Sequence, residues 1–399
     1  MPPPPQTQFG LPTAEPEEVG LSRPALLRMS EAMQREIAAG RAAGVSTLVA
    51  RHGRVAHAER FGSLRPGGPP MPADAIFRIY SMTKPIVCVA AMTLVEEGRL
   101  LLADPVAKYL PAFAEMKVGV ERDGALELVP AKRPITIHDL MRHTSGLTYG
   151  FAGATAAHRL VAAADIVNVS KPIAEQIDRL AALPLLRQPG EAWEYGLSTD
   201  VLGRVLEVVS GKRLGEFVAE RVLRPLDMVD TAFYTPPAKR DRLAEPLSND
   251  ALTAGRIDLV DCSAPPPFEM AGSGLVSTIG DYARFLAMVA GGGALDGARV
   301  LGVRTLAYMA SDHLGPEIDR RSPFLSPGHG YGLGFAVRTE AGVAPTTGSV
   351  GEFSWGGVSG VAFWVSPRDA LFAIVMTQAP DHYLYFRQVF RNMVNAAIL

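Results

Sequence analysis

Apolar residues at helical spacing run from Pro24 to Ala39 (Leu26, Leu27, Met29, Met33, Ile37) and predict an amphipathic helix. The pattern then switches to a period of two. Val45-Ser46-Thr47-Leu48-Val49-Ala50 and Arg54-Val55-Ala56-His57-Ala58 flank the turn residues His52-Gly53, which reads as a strand pair. Ile76-Phe77-Arg78-Ile79-Tyr80 is an extended run that leads into Ser81. Lys84 to Glu97 follows as a helix that ends near Gly98.

From there to about residue 260 the patterning is mostly helical and is cut by proline and glycine loops. Ile135 to Met141 is a short helix with Thr136 as its N-cap. Ile173 to Ala182 and Thr199 to Val209 are two more, and Gly211 past Ser210 fits a helix stop. Leu314 to Gly330 is a long proline- and glycine-rich loop of the kind that borders a site. Strand character then returns. Tyr331 to Val337 reads as one strand, and Val358 to Val365 with Ala370 to Thr377 as a hairpin about Pro367-Arg368-Asp369. Tyr383 to Ile398 closes the chain as an amphipathic helix.

Strands at both ends with helices between them predict an α+β architecture, with one antiparallel sheet built from both termini. The expected division is residues 10–95 with 270–399 as an α/β domain and 96–269 as an inserted, mostly helical domain. Residues 1–9, which begin with a proline run, are expected to be a flexible tail.

The 399 residues suffice for two to three domains, and 48% hydrophobic with 20% charged residues is an ordinary soluble balance. A formal net charge of -2 supplies no strong field for nucleic acid or anionic lipid. The short run Lys239-Arg240-Asp241-Arg242 reads as solvated surface. No apolar stretch is long enough for a bilayer and no basic-then-apolar leader opens the chain, so a cytoplasmic location without a membrane partner is expected. The two cysteines do not make a disulfide framework, and Cys88 in its apolar run reads as a buried thiol. The eight histidines show neither HxH nor HExxH spacing, so neither a metal nor another cofactor is expected. Patterning leaves the oligomeric state open.

The chemistry centres on Ser81-Met82-Thr83-Lys84. On a helix, positions i and i+3 share a face, and a neighbouring amine can activate a serine that is otherwise a poor nucleophile. This is the one SxxK of the chain, and it follows a strand directly, where a helix N-terminus points amides at a reacting oxygen. Trp193-Glu194-Tyr195-Gly196-Leu197-Ser198 supplies a phenol, which beside a lysine can lose its proton and act as a base. Trp355-Gly356-Gly357-Val358-Ser359-Gly360 opens a C-terminal strand whose edge can complete an oxyanion hole. Each element also fits a plain role: a solvent-facing lysine, a packed tyrosine, a glycine-rich bulge. No Gly-x-Ser-x-Gly surrounds Ser349, Ser354 or Ser359, which argues against an α/β-hydrolase elbow. Asp139 and His138 read as helix surface.

In this order and setting the three elements resemble the penicillin-recognising serine hydrolases, above all class C β-lactamases and family VIII carboxylesterases. The resemblance runs from about residue 15 to the end and includes His143-Thr144-Ser145-Gly146-Leu147, where loop packing is the expected role. It implies a β-lactamase/transpeptidase-like fold. It implies Ser81 as nucleophile, Lys84 and Tyr195 as its partners (either can be the base), and the amides of Ser81 and Val358 as oxyanion hole. Trp355, Gly356 and Gly357 stand where the lactamases have Lys-Thr-Gly. Leu197 replaces the asparagine of Tyr-x-Asn. Both changes remove polar recognition of a β-lactam, and Trp-Gly-Gly is typical of the family VIII esterases. The expected substrate is a small, neutral, short-chain carboxylic ester, with Phe151 and Phe324 as further candidates for the pocket wall. Side activity on cephalosporins, a true β-lactamase, an acyltransferase of the fungal statin-side-chain kind and an inactive binding protein on this fold are the alternatives. For a peptidase reading, Arg78 or Arg338 would have to supply the cation.

Overall fold

The computed structural model of the chain describes residues 9–250 and 261–399. In chain order its elements begin with α1 (Arg23–Ala38), β1 (Gly44–Arg51), β2 (Arg54–Gly62), β3 (Ile76–Arg78) and α2 (Thr83–Glu96). The middle region holds β4 (Lys117–Arg122), β5 (Ala125–Pro130), α3 (Ile137–Met141), α4 (Ala156–Ala163), α5 (Ile173–Ala181), α6 (Ser198–Ser210) and α7 (Leu214–Val218). Then come β6 (Val276–Thr278), α8 (Ile279–Ala290), β7 (Ala294–Leu295), β8 (Ala298–Arg299) and α9 (Val303–Met309). The last elements are β9 (His329–Tyr331), β10 (Ala336–Arg338), β11 (Phe353–Gly356), β12 (Ala362–Ser366), β13 (Leu371–Thr377) and α10 (Tyr383–Asn395).

One seven-stranded sheet has the order β2-β1-β13-β12-β11-β10-β9, and every neighbouring pair is antiparallel. It draws on both ends of the chain, as expected. Its central strands are apolar on both faces because both faces are covered, and alternation sorts their side chains between two cores. Leu48, Phe363, Val365, Phe372, Ile374 and Met376 point into the larger core, which also holds α2 and α8 residues. Val45, Val49, Trp364, Ala373 and Val375 point into a smaller one with Met29 and Met33 of α1 and Phe386 and Phe390 of α10. The larger core continues into the middle region through Val201, Leu202 and Val205 of α6, and β3 pairs with β6, which ties the N-terminal segment to the C-terminal one.

Several expectations change. Tyr331 to Val337 is a hairpin and not one strand: β9 and β10 pair about a turn in which Gly334 has φ 93°. The strand expected from Val358 starts at Ala362, because residues 357–361 form a turn with Gly360 at φ 110°. The helical middle contains the hairpin β4–β5, turned by Asp123-Gly124 with both residues at positive φ (51° and 77°), as a tight hairpin requires. Lys239 and Arg242 are not free surface charges; both pair with Asp230. Of the expected tail, residues 1–8 lie outside the described residues, and Phe9 is half-buried against Gly280 of α8. Among the described residues no helix is long and apolar enough to cross a membrane.

Candidate active site

Ser81 lies in a single 3₁₀ turn, Tyr80–Met82, between β3 and α2. Tyr80 stands at φ 44°, a left-handed conformation that is uncommon outside glycine and of the kind that gathers at functional sites. The turn is clamped from one side. The Met82 carbonyl accepts from the Tyr282 hydroxyl at 3.0 Å, and the Thr83 hydroxyl accepts from the Leu275 N–H at 3.1 Å. The helical path brings Lys84 onto the face of Ser81, and Nζ donates to Oγ at 3.2 Å. Lys84 is fully buried and Ser81 is half-buried.

Tyr195 comes from the segment just before α6. Its hydroxyl donates to Ser81 Oγ at 2.6 Å, and Lys84 Nζ lies 4.5 Å from its ring centroid. A nest of rings fixes the phenol. Trp193 stacks on it at 5.8 Å, Trp355 meets it edge-on at 5.4 Å, and Phe324 and His143 lie at 5.4 and 5.1 Å. The backbone of this segment is pinned as well: the Trp193 N–H donates to Asp319 of the loop 314–330, and the Glu194 N–H donates to the His143 carbonyl.

Three further residues belong to the cluster and were not foreseen. Lys84 Nζ also donates to the Tyr149 hydroxyl at 3.3 Å and to the Gly272 carbonyl at 2.8 Å. Asp200, in the first turn of α6 and fully buried, accepts from the Gly272 N–H at 2.9 Å. Burial raises the Asp200 carboxyl above its ordinary range, against the pull of Lys84 and the Gly272 N–H. Burial, with Asp200 nearby, lifts the Tyr149 phenol well above its ordinary value, and burial beside Lys84 holds His143 well below its own. One signal for Asp200 was in the sequence: an acid among Leu197, Val201, Leu202 and Val205, on a helix whose apolar face must be buried.

Trp355 on β11 is half-buried and touches Tyr195 and Tyr331 edge-on. The glycines after it serve the chain's own packing. A Cβ on Gly356 would stand 2.6 Å from the Arg387 guanidinium carbon, and one on Gly357 would stand 2.5 Å from the Ile79 carbonyl. Their small size lets protein atoms close in at both positions. It also draws the strand end onto the turn that carries Ser81. Val358 follows in the turn, and among the described residues its N–H has no protein acceptor. Leu197 is 1% exposed within the larger core, so its side chain is not open to a substrate. Phe151 is 75% exposed, with one face stacked on Tyr149 at 4.9 Å.

Arg78 pairs with Glu245 and Arg338 with Glu352, so neither offers a free cation. Asp139 is buried and not surface. Burial opposes its charge, but hydrogen bonds from Arg133, the Thr136 N–H and the Thr144 and Thr136 hydroxyls prevail and hold its carboxyl well below the usual range. His138 is half-buried against His313, with ring nitrogens 2.8 Å apart. Ser145 is buried against Ser198 at 2.8 Å, a packing contact. A surface depression of about 610 Å³, lined by Arg338, Thr346, Thr347 and Asn392 among others, shares no residue with the Ser81 cluster. Among the described residues no three His, Cys, Asp or Glu side chains gather as a metal site requires.

The cluster therefore offers an accessible hydroxyl, a phenol oxygen and an amine within bonding reach of it, and a free backbone N–H on the strand end that packs against the same turn. Comparison with known proteins gives a consistent picture. The family model described as Beta-lactamase matches residues 29–397. An uncharacterised protein of Mycobacterium tuberculosis is 35% identical over 377 residues, which span 88% of this chain and 90% of that one. Esterase EstB of Burkholderia gladioli is 32% identical over 358 residues, 84% of this chain and 86% of the relative. The solved structure of EstCE1, described as a hydrolase with promiscuous acyltransferase activity, matches with a TM-score of 0.78 at 28% identity, over 93% of this chain and 98% of its own.

Proposed function

The chain belongs to the beta-lactamase family, and from that premise we propose that it is a serine carboxylesterase that cleaves small, neutral esters through an acyl-enzyme on Ser81. The observation that carries the reading is the 2.6 Å contact between Tyr195 and Ser81, with Lys84 Nζ at 3.2 Å from the same oxygen. Reacting and proton-accepting atoms at hydrogen-bond reach are what nucleophilic catalysis by serine requires.

In the proposed cycle the phenolate of Tyr195, formed by loss of the phenol proton beside Lys84, takes the Ser81 proton as Oγ bonds to the ester carbonyl carbon. Negative charge on the carbonyl oxygen is met by the N–H groups of Ser81 and Val358, each such donor being worth ~2.7–4 kcal/mol. The bond from carbon to the alcohol oxygen breaks, and Tyr195 returns its proton to the leaving alcohol. Water then attacks the acyl carbon and gives its proton to the same phenolate oxygen; the bond from carbon to Oγ breaks, Tyr195 returns that proton to Ser81 Oγ, and the acid leaves. The half-open aromatic border of Phe151, Phe324 and Trp355 suits an apolar acyl or alcohol group. An uncharged indole at 355, with Arg78 and Arg338 already paired, supports neutral esters over β-lactams.

Hydrolysis of p-nitrophenyl butyrate by wild type, and its loss in Ser81→Ala with the fold retained, is the expected result. Activity within a few-fold of wild type in that variant removes Ser81 as nucleophile. A panel of esters of increasing acyl length plus nitrocefin, run on both proteins, tests the substrate class. Acyl transfer is the second reading, favoured by the promiscuous acyltransferase activity described for EstCE1. Added alcohol should then divert product from acid to ester.

A further inference from the structure

Lys84 is sealed from solvent and makes three contacts, to Ser81 Oγ, Tyr149 OH and Gly272 O. Three acceptors match the three protons of an ammonium. Among the described residues no carboxylate bonds it directly. Asp200 is a fully buried carboxyl that shares Gly272 with Lys84. Its Oδ1 accepts from the N–H of Gly272, the residue whose carbonyl holds Lys84, and its Oδ2 is buried with no partner among the described residues. Oδ2 and the Tyr149 hydroxyl close over the same spot: a Cβ on Gly272 would stand 2.7 Å from the first and 3.1 Å from the second. A buried ammonium and a buried carboxylate are each strongly unfavourable alone, and each offsets the other's cost when they lie close.

Building on the hydrolase reading above, we propose that Asp200 is the counter-charge of Lys84. Acting through Gly272 and Tyr149, it keeps the ammonium charged and in place, which leaves Tyr195 as the group that takes the Ser81 proton. Asp200 is thus a positioning residue, two contacts removed from the reacting atoms. Besides Tyr195, three titratable groups face Lys84, and burial favours the uncharged form of each. Burial drives His143 well below its ordinary value, pushes Cys88 up to about 12 and lifts Tyr149 well above its own. Arg387 faces Tyr195 from α10, across the Gly356–Gly357 strand end.

Asp200→Asn keeps an acceptor for the Gly272 N–H and removes the charge. Without the anion, Lys84 gives up its proton more readily, so the alkaline limb of kcat/KM against pH should move to lower pH by about one to two units. At neutral pH kcat should fall ~10-fold or more, with KM within about two-fold. A purely structural role would lower the melting temperature and leave the limb in place. An unmoved limb with kcat within about two-fold of wild type overturns the proposal. Should the variant not fold, the charge on Lys84 is read in wild type by ¹⁵Nζ NMR at mildly alkaline pH. An ammonium is expected there, and a neutral amine overturns the proposal. Ser81→Ala serves as the control. Activity in Ser81→Ala defeats the hydrolase reading, whereas an inert Asp200→Asn beside a dead Ser81→Ala defeats only the counter-charge.

Discussion

Tyr195→Phe separates chemistry from packing. The ring keeps its stack on Trp193 and its contacts with Trp355, Phe324 and His143, and only the hydroxyl at 2.6 Å from Ser81 is lost. One hydrogen bond at a half-buried site is worth about 1 kcal/mol, so the melting temperature should barely move. The loss in rate should be far larger. A positioned base contributes ~10²–10⁴-fold. At 1.36 kcal/mol per tenfold this is roughly 2.7–5.5 kcal/mol of transition-state stabilisation. Steady-state hydrolysis of p-nitrophenyl butyrate should show kcat and kcat/KM falling together, the mark of an interaction made only in the transition state. Thermal unfolding of the same sample supplies the control. A folded variant whose kcat stays within about five-fold of wild type refutes the base assignment, and one in which only KM rises makes Tyr195 a binding group.

Two further outcomes follow from buried groups around the site. Burial pushes the Asp281 carboxyl from an ordinary 3.8 up to about 6, against hydrogen bonds from Thr231 and the Asp230 N–H. The folded chain therefore holds this proton more tightly than the unfolded chain. Its contribution to stability is complete below about pH 4 and is lost as pH rises through about 6, a cost of roughly 3 kcal/mol. Asp281→Asn cannot ionise, so its unfolding free energy relative to wild type should rise by about that amount between acid and neutral pH; parallel denaturation curves at the two pH values would count against the linkage. Gly272→Ala drives a methyl to 2.7 Å from Asp200 Oδ2 and should cost ~1–3 kcal/mol in denaturant unfolding while lowering kcat. Wild-type stability and rate in this variant would mean that the contact around Gly272 is loose.

What was legible in the sequence was whatever repeats locally. Alternation marked β1, β2, β12 and β13, and the helical period marked α1, α5, α6 and α10. Strands at both ends implied the shared sheet. The SxxK spacing brings Ser81 and Lys84 together through one helical run, so their contact could be read from sequence; Tyr195 was reached through the resemblance of its surroundings. Long-range contacts were not legible. Tyr149 and Asp200 meet Lys84 and Gly272 only because the middle region folds back onto α2, and no spacing rule links such positions. Leu197 was placed by its neighbour Tyr195, but an apolar side chain at the start of α6 goes to the core. Asp139 was assigned to the surface as an acid on a short helix; Arg133 and Arg142 flank it and supply the charges that let it be buried. The β4–β5 hairpin did carry a local signal, Asp123-Gly124 between alternating valines and leucines.

The central claim is that Ser81 is the residue that becomes acylated. Treatment of the native protein with a fluorophosphonate, followed by peptide mass spectrometry, tests it directly. One label per chain on the peptide that carries Ser81, with parallel loss of ester hydrolysis, is the predicted result; a label on any other serine, or full hydrolytic activity in a protein labelled at Ser81, contradicts it.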